Sequence, residues 1–380
     1  MLLRKKIFSI FVLSIFTISA QVSASIIPAA PKLSASAYLL IDFHSGHVLA
    51  EKNMSERIEP ASMTKLMTAY VVMHEIADGA IKMDDKVLIS EKAWRMGGSR
   101  MFVEVNTRVS VKELILGMIV QSGNDASVAL AEHTAGSEDA FATLMNSYAE
   151  KLGMKDSHFV NSTGWPHKDH YTTAADLAIL TRAMIRDFPE HYSLYKIKKY
   201  SYNNIPQFNR NRLLWLDERV DGVKTGHTDS AGYCLISSAV KNDMRLISVV
   251  AGTKSERERE ASSRTLLNYG FRFFETFKLH AANDPLTDMH IWKGDKDTVP
   301  LGLTKSLYIT TPRGKRNKIQ AHMNVDSTIV APISKGQEYG SVEVKLGDEV
   351  IAQRPLVALE DVHEGSFWRR TIDNVKLLFK

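Results

Sequence analysis

Three short polar motifs stand in order along the chain: Ser62-Met63-Thr64-Lys65, Ser122-Gly123-Asn124 and Lys224-Thr225-Gly226. Their residue types suit acyl transfer. A serine hydroxyl is a weak nucleophile and needs a base. Lys65 follows Ser62 at a spacing that puts both side chains on one face of a helix. A lysine acts as a general base only where burial or a second cation depresses its pKa. Lys224 would be that second cation. Ser122 would bridge the two lysines and shuttle the proton, and Asn124 would orient the substrate amide. The backbone N–H groups of Ser62 and His227 are the candidates for an oxyanion hole. Gly226 would let a substrate backbone come close.

Each motif alone is weak. S-x-x-K recurs at Ser193–Lys196 and Ser238–Lys241, and S-x-N at Ser201–Asn203. Taken singly, Ser62 reads as a helix N-cap and Lys65 as a solvated helix residue. Ser122-Gly123-Asn124 reads equally well as a capping turn between two helices. The order of the motifs and their flanks give the set its meaning.

The elements that must hold these residues follow from periodicity. Ala37 to Ala50 reads as a β-hairpin with a turn at Ser45-Gly46, and Thr64 to Ala77 carries apolar residues at helical spacing. Further helices are expected from Val111 to about Val120 and over 126–135, 140–152 and 174–186. Two β-prone runs, Gly232 to Val240 and Arg245 to Ala251, flank an Asn242-Asp243 turn, and Arg257 to Phe277 reads as a helix. A helical lobe against an antiparallel sheet is an α+β arrangement. From about His280 the pattern becomes short strands punctuated by Gly, Pro, Asn and Asp, as in a small all-β domain. Residues 361–380 place Trp368, Ile372, Val375 and Phe379 near one face, with Arg369, Arg370, Lys376 and Lys380 adding charge. That is the make-up of an amphipathic helix lying in a membrane interface, too short and too charged to span it.

The chain of 380 residues has room for one large domain and a smaller one. Its formal charge of +5 is mild and its basic residues are scattered, which argues against a nucleic-acid partner. A basic start at Arg4-Lys5-Lys6, an apolar stretch from Ile7 to Ile18 and Val22-Ser23-Ala24 form a secretory signal expected to be cleaved after Ala24. Cys234 is the only cysteine, so no intrachain disulfide can form, and its setting reads as a buried strand. His167 and His170 do not form an H-E-x-x-H pattern, so neither metal nor cofactor is expected.

With these flanks in view, the chain resembles the low-molecular-weight penicillin-binding proteins that are serine-type D-alanyl-D-alanine carboxypeptidases. The resemblance runs through residues 60–68, 121–126, 209–211, 220–228 and 270–275, and it extends to the β-rich second domain and the terminal helix. It implies a penicilloyl-serine transferase/β-lactamase-like catalytic domain over 25–279, an all-β domain over 280–358 and a membrane-anchoring helix over 361–380. It also implies removal of the terminal D-Ala from peptidoglycan pentapeptides through an acyl-enzyme on Ser62, acylation by β-lactams, and attachment to the periplasmic face of the inner membrane. Lys224, Thr225, Gly226 and an arginine would bind the substrate, with Arg259 matched to the family's arginine and Arg257 as a rival. A D,D-endopeptidase or transpeptidase could use the same site. A class A β-lactamase would need a glutamate to activate the deacylating water, and no glutamate occurs between Glu150 and Glu190. A non-catalytic peptidoglycan-binding protein would not need all three motifs intact.

Overall fold

The computed structural model describes residues 28–326 and 328–379. The signal segment expected over 1–24 lies outside them. The catalytic part is built on a five-stranded antiparallel sheet. Its order is Val48–Lys52 (β2), Ala37–Asp42 (β1), Met244–Thr253 (β5), Gly232–Lys241 (β4) and Val220–Thr228 (β3). Side chains alternate across a strand, and both faces of this sheet are covered. Leu39, Ile41, Ile236, Ile247 and Val249 point into a large core shared with the helical lobe. Leu40, Leu235, Leu246 and Val250 point into a second core under the helix Glu256–Phe273. At Gly270 that helix comes so close that an added Cβ would lie 2.5 Å from Leu246 Cδ1.

The helical lobe contains Lys65–Ala77 (α1), Val111–Leu116 (α2), Asn124–Ala135 (α3), Glu138–Leu152 (α4) and Ala174–Asp187 (α5). Several starts are written locally. Ser110 and Glu113 form a capping box on α2, while Ser137 and Thr173 cap α4 and α5 through their side chains. The segment expected as one helix from Val111 to about Val120 is an α-turn pair that widens into a π-helical turn over Gly117–Gln121. That wide turn ends at Ser122, whose φ of 65° is left-handed.

The helix expected over Arg257 to Phe277 ends at Phe273. Residues Phe274–His280 instead form a strand paired with Leu307–Pro312. Phe274 is buried in the second core, and the partner strand captures the residues after it, so tertiary pairing overrides the helical pattern. Two small antiparallel pairs, Lys86–Leu88 with Arg108–Ser110 and Lys199–Tyr202 with Ile205–Phe208, belong to the catalytic part. The other strands from Pro285 onward form a six-stranded sheet around Ile291, Val299, Leu301, Val344 and Leu356. It includes Thr298–Gly302, a strand the sequence reading does not contain. The terminal helix, Phe367–Leu377 (α7, following Glu256–Phe273 as α6), is capped by Ser366. No helix among the described residues is long and apolar enough to cross a membrane.

Candidate active site

Pro60 leads into a 3₁₀ turn over Ala61–Thr64 that runs directly into α1. Ser62 sits in this turn, and Lys65 at the first position of the helix projects back toward it. Lys65 Nζ lies 2.9 Å from Ser62 Oγ, 2.7 Å from Asn124 Oδ1 and 2.6 Å from the Thr163 carbonyl oxygen. The lysine is 1% exposed. Burial pushes its pKa down to about 7, against a smaller upward pull from Asp125. Of the two routes open from sequence, burial and a second cation, burial is the main cause.

That geometry has a chemical consequence. Asn124 Oδ1 and the Thr163 carbonyl can only accept hydrogen bonds. In the neutral amine they take both N–H protons, so the lone pair is left facing the Ser62 hydroxyl.

Lys224, on the outer strand β3, donates to Ser122 Oγ at 2.8 Å and to the Thr225 carbonyl at 3.1 Å. Burial, then the charge of Lys65, then Arg259 and Arg210, hold its pKa well below the ordinary lysine value. Ser122 was expected to bridge both lysines. Its left-handed backbone aims Oγ at Lys224, and Lys65 is bound to Asn124 instead. Asn124 also donates to the Gly97 carbonyl through Nδ2 at 2.8 Å, which leaves one N–H for the cleft.

Gly226 lines the cleft and also has a reason within the protein. A Cβ there would meet the Pro60 carbonyl oxygen at 3.1 Å and Ala61 Cβ and Met63 Cγ at 3.2 Å. The glycine lets β3 pack against the turn that carries Ser62, so it serves an approach within the protein.

These groups share one cleft of about 770 Å³, lined by Ser62, Ser122, Asn124, Thr225, Gly226, His227 and Arg259. Ser62 and His227 thus face the same space. Arg259 is 3% exposed, ion-paired with Glu256 at 3.1 Å, and its Nε has no partner among the described residues. Arg257 is exposed and lines none of the cleft. Of the two rival arginines, only Arg259 is in reach.

Thr163, Gly164 and Trp165, in the stretch 162–171 that reads from sequence as a loop near the cleft, form one wall. Sequence reasoning did not single out the residues that brace it. Asn161 Oδ1 accepts from the N–H groups of Thr163, Gly164 and Trp165, and Thr68 and Glu138 pin Ser162. Gly164, at φ 84°, lies against the Ala61 carbonyl. Asp125 accepts from the N–H groups of Met101, Phe102 and Val103, which ties the Ser122 turn to the segment beside it. His170 is buried beneath the site. It accepts from the Val160 N–H at Nδ1, so Nε2 carries the proton and donates to Thr64 Oγ1 at 2.8 Å. Asn161, an Asx turn before Thr-Gly, was the visible clue to this wall.

Residues 24–255 match the family model of D-alanyl-D-alanine carboxypeptidase, and residues 274–364 match that of the penicillin-binding protein 5 C-terminal domain. The chain belongs to the D-alanyl-D-alanine carboxypeptidase family. It is 44% identical over 363 residues to the D-alanyl-D-alanine carboxypeptidase DacA of Escherichia coli, covering 93% of this chain and 90% of that one. The crystal structure of penicillin-binding protein 5 from Haemophilus influenzae superposes with a TM-score of 0.85 at 42% identity, over 89% of this chain and all of that one (100%). A more distant structure, penicillin-binding protein D2 of Listeria monocytogenes in an ampicillin-bound form, shares 29% identity at a TM-score of 0.59, over 63% of this chain and 98% of that one. The family fixes the reaction as that of a serine-type D-Ala-D-Ala carboxypeptidase and the fold as penicilloyl-serine transferase-like, followed by an all-β domain.

Proposed function

We propose that this enzyme removes the terminal D-Ala of a peptidoglycan stem peptide through an ester formed on Ser62. The observation that carries this reading is Lys65, a buried amine with a pKa of about 7 and its lone pair turned to Ser62 Oγ. Such a base is half neutral near neutral pH, which suits proton abstraction. The outer edge of β3 runs along the cleft, so a peptide can lie beside Lys224–His227 as an added strand. The terminal carboxylate then meets the Thr225 hydroxyl and the unpartnered Nε of Arg259. Ser62 Oγ attacks the penultimate carbonyl while Lys65 takes its proton. The backbone N–H groups of Ser62 and His227 hold the oxyanion. The proton taken by Lys65 passes to the departing amine as the C–N bond breaks, with Ser122 and Lys224 on its path, so Lys65 is neutral again; Asn124 keeps Lys65 aimed while its remaining N–H meets the substrate amide. Water, activated by the same Lys65, then frees the shortened peptide.

A β-lactam presents the same carbonyl beside a carboxylate and acylates the same serine, as the ampicillin-bound Listeria relative suggests for the fold. A β-lactamase reading lacks support, because the atom of the 150–190 segment bonded to Lys65 is the Thr163 carbonyl and not a carboxylate.

The setting we propose is the periplasmic face of the inner membrane, reached through the signal segment 1–24. The mature chain then divides into the catalytic domain 25–279, the all-β domain 280–358 and the anchor 361–380. The anchor reading is supported by the way α7 sits. Asp373 accepts from the Lys293 N–H at 2.7 Å and Arg369 donates to the Lys296 carbonyl, so a polar face docks on the β-domain. Trp368 (74% exposed), Ile372, Val375 and Phe379 point away from it. An apolar face turned outward beside a polar face turned inward suits a membrane interface.

The test is D-Ala release from a diacyl-Lys-D-Ala-D-Ala peptide together with labelling by a fluorescent penicillin. Both are expected in the wild type and neither in Ser62→Ala. Rapid loss of the penicillin without D-Ala release would point to a β-lactamase.

A further inference from the structure

A second cavity of about 690 Å³ lies outside the catalytic cleft and meets it only at Arg210 and Glu256. Local sequence builds it. The strand Ile205–Phe208 forms one side, and the single helical turn Leu213–Leu216 forms the other. Successive residues of a strand point to opposite sides, so Gln207 turns inward and Phe208 outward. In the helical turn, Leu213 and Leu214 are used up in the core beneath α6. Trp215 and Leu216 are therefore left facing the groove.

The groove has a defined chemistry. Phe208, Trp215 and Leu216 are 55%, 46% and 50% exposed. Large apolar side chains gathered in one place, with a polar rim, mark an interaction site more than scattered surface residues do. Arg210 and Arg212 line the same groove, and Lys198 and Lys199 lie 5.8 Å from the Trp215 and Phe208 ring centres. Glu256, the one acidic residue of the lining, is already paired with Arg259. Glu260, which feels the charge of Arg212, is nearly buried and lines none of the groove. Gln207 is 2% exposed; its Nε2 donates to the Met101 carbonyl at 2.9 Å, and its Oε1 has no partner among the described residues. A buried acceptor left open in a groove wants an N–H from outside.

We propose that this groove docks an acidic, extended segment of a partner protein that carries one large apolar side chain as its anchor. The anchor lies on Trp215, Phe208 and Leu216. Carboxylates on either side of it meet Arg210, Arg212, Lys198 and Lys199, and a backbone N–H of the segment donates to Gln207 Oε1. Charge and shape together select this occupant. A membrane surface suits aromatic and basic residues, but it cannot enter a concave groove to reach a buried amide. The D-Ala end of a stem peptide has only methyl side chains and would leave the aromatic rim bare. The docking makes and breaks no bond and does not use Ser62, so it stands apart from the acyl-enzyme reading.

The experiment uses the full chain and a fluorescein-labelled synthetic peptide of alternating Asp and Glu around one central Trp, followed by fluorescence anisotropy. Saturable binding is expected. Arg212→Glu and Trp215→Ala should each weaken it about tenfold or more, which is about 1.4 kcal/mol. The exposed Lys199→Glu should weaken it less. All three variants should label Ser62 with fluorescent penicillin at the wild-type rate, which shows that the cleft is intact. A second peptide with Ser in place of the central Trp should bind at least tenfold more weakly. Absence of saturable binding to the wild type overturns the proposal, as does binding that the variants retain. Equal binding of the Ser peptide would be bare charge attraction and overturns it too. Loss of phosphatidylglycerol-vesicle binding in Trp215→Ala, without peptide binding by the wild type, would assign the patch to a membrane instead.

Discussion

At the scale of single residues, the site works by withholding water from its amines. Burial brings the pKa of Lys65 down to about 7, and its two fixed acceptors decide where the lone pair of the neutral amine points. His170 shows the same force in a supporting residue. Burial, followed by the charges of His158, His167 and Lys65, lowers its pKa to about 4 from an ordinary 6.5. A histidine with a depressed folded pKa contributes stability that is fully present above 6.5 and is lost as pH falls toward 4. The shift corresponds to about 3 kcal/mol over that window. In His170→Gln, the melting temperature is expected to be lower at neutral pH but flatter between pH 6.5 and 4 than in the wild type. A thermal melt series across that range checks it; an unchanged slope would remove His170 as the source. Ser62, Lys65 and Lys224 were legible in the sequence because each lies in a motif whose spacing has a geometric meaning. What sequence could not give was the direction of each hydrogen bond. Ser122 faces Lys224 alone because a π-helical turn and one left-handed residue rotate it, and neither leaves a residue-type signature.

At the scale of elements, two glycines hold the Ser62 turn between β3 and the Asn161–Trp165 wall. They differ in how little room they leave. A Cβ at Gly164 would lie 1.7 Å from the Ala61 carbonyl oxygen, at a φ of 84° that side chains rarely adopt. A Cβ at Gly226 would meet its neighbours at 3.1–3.2 Å, which shifts of a few tenths of an ångström relieve. Gly164→Ala is therefore expected to lose more than about 2 kcal/mol of stability and most penicillin acylation. Gly226→Ala should fold with a loss of about 1 kcal/mol and acylate more slowly. Urea melts and labelling kinetics of the pair check this ranking; equal effects would contradict it. The helices and the paired strands around Asn242-Asp243 were legible from period and turn residues. The end of α6 was not. Nothing local stops a helix at Phe273, and the strand that follows exists because Leu307–Pro312 pairs with it.

At the scale of the whole molecule, the β-domain stands between a catalytic cleft and a terminal helix that shows its apolar side outward. Thr276 and Thr310 of the paired strands share a hydrogen bond at 2.7 Å and connect through Asp42 and Ser45 to the first hairpin of the catalytic sheet. The two parts are thereby tied by partly buried polar groups as well as by chain. Replacing Trp368, Ile372 and Val375 with serine removes apolar area worth several kcal/mol of membrane partition at about 25 cal/mol per Å². The variant is expected to stay in the supernatant of a vesicle co-sedimentation assay in which the unaltered chain pellets. Its D-Ala release from a soluble peptide should match the wild type. Co-sedimentation equal to the unaltered chain would show that the helix is not the anchor. The amphipathic pattern of this helix was plain in the sequence, but which face the protein itself covers could be known only once Asp373 and Arg369 were seen docked.

The most direct test of the central claim, a neutral Lys65 acting on Ser62, is the second-order rate of penicillin acylation measured from pH 5 to 9. With a base of pKa about 7, the rate should climb with pH and level off above that value, and Lys65→Arg should lose the rate at every pH. A flat profile, or a Lys65→Arg variant that acylates like the wild type, would contradict the account.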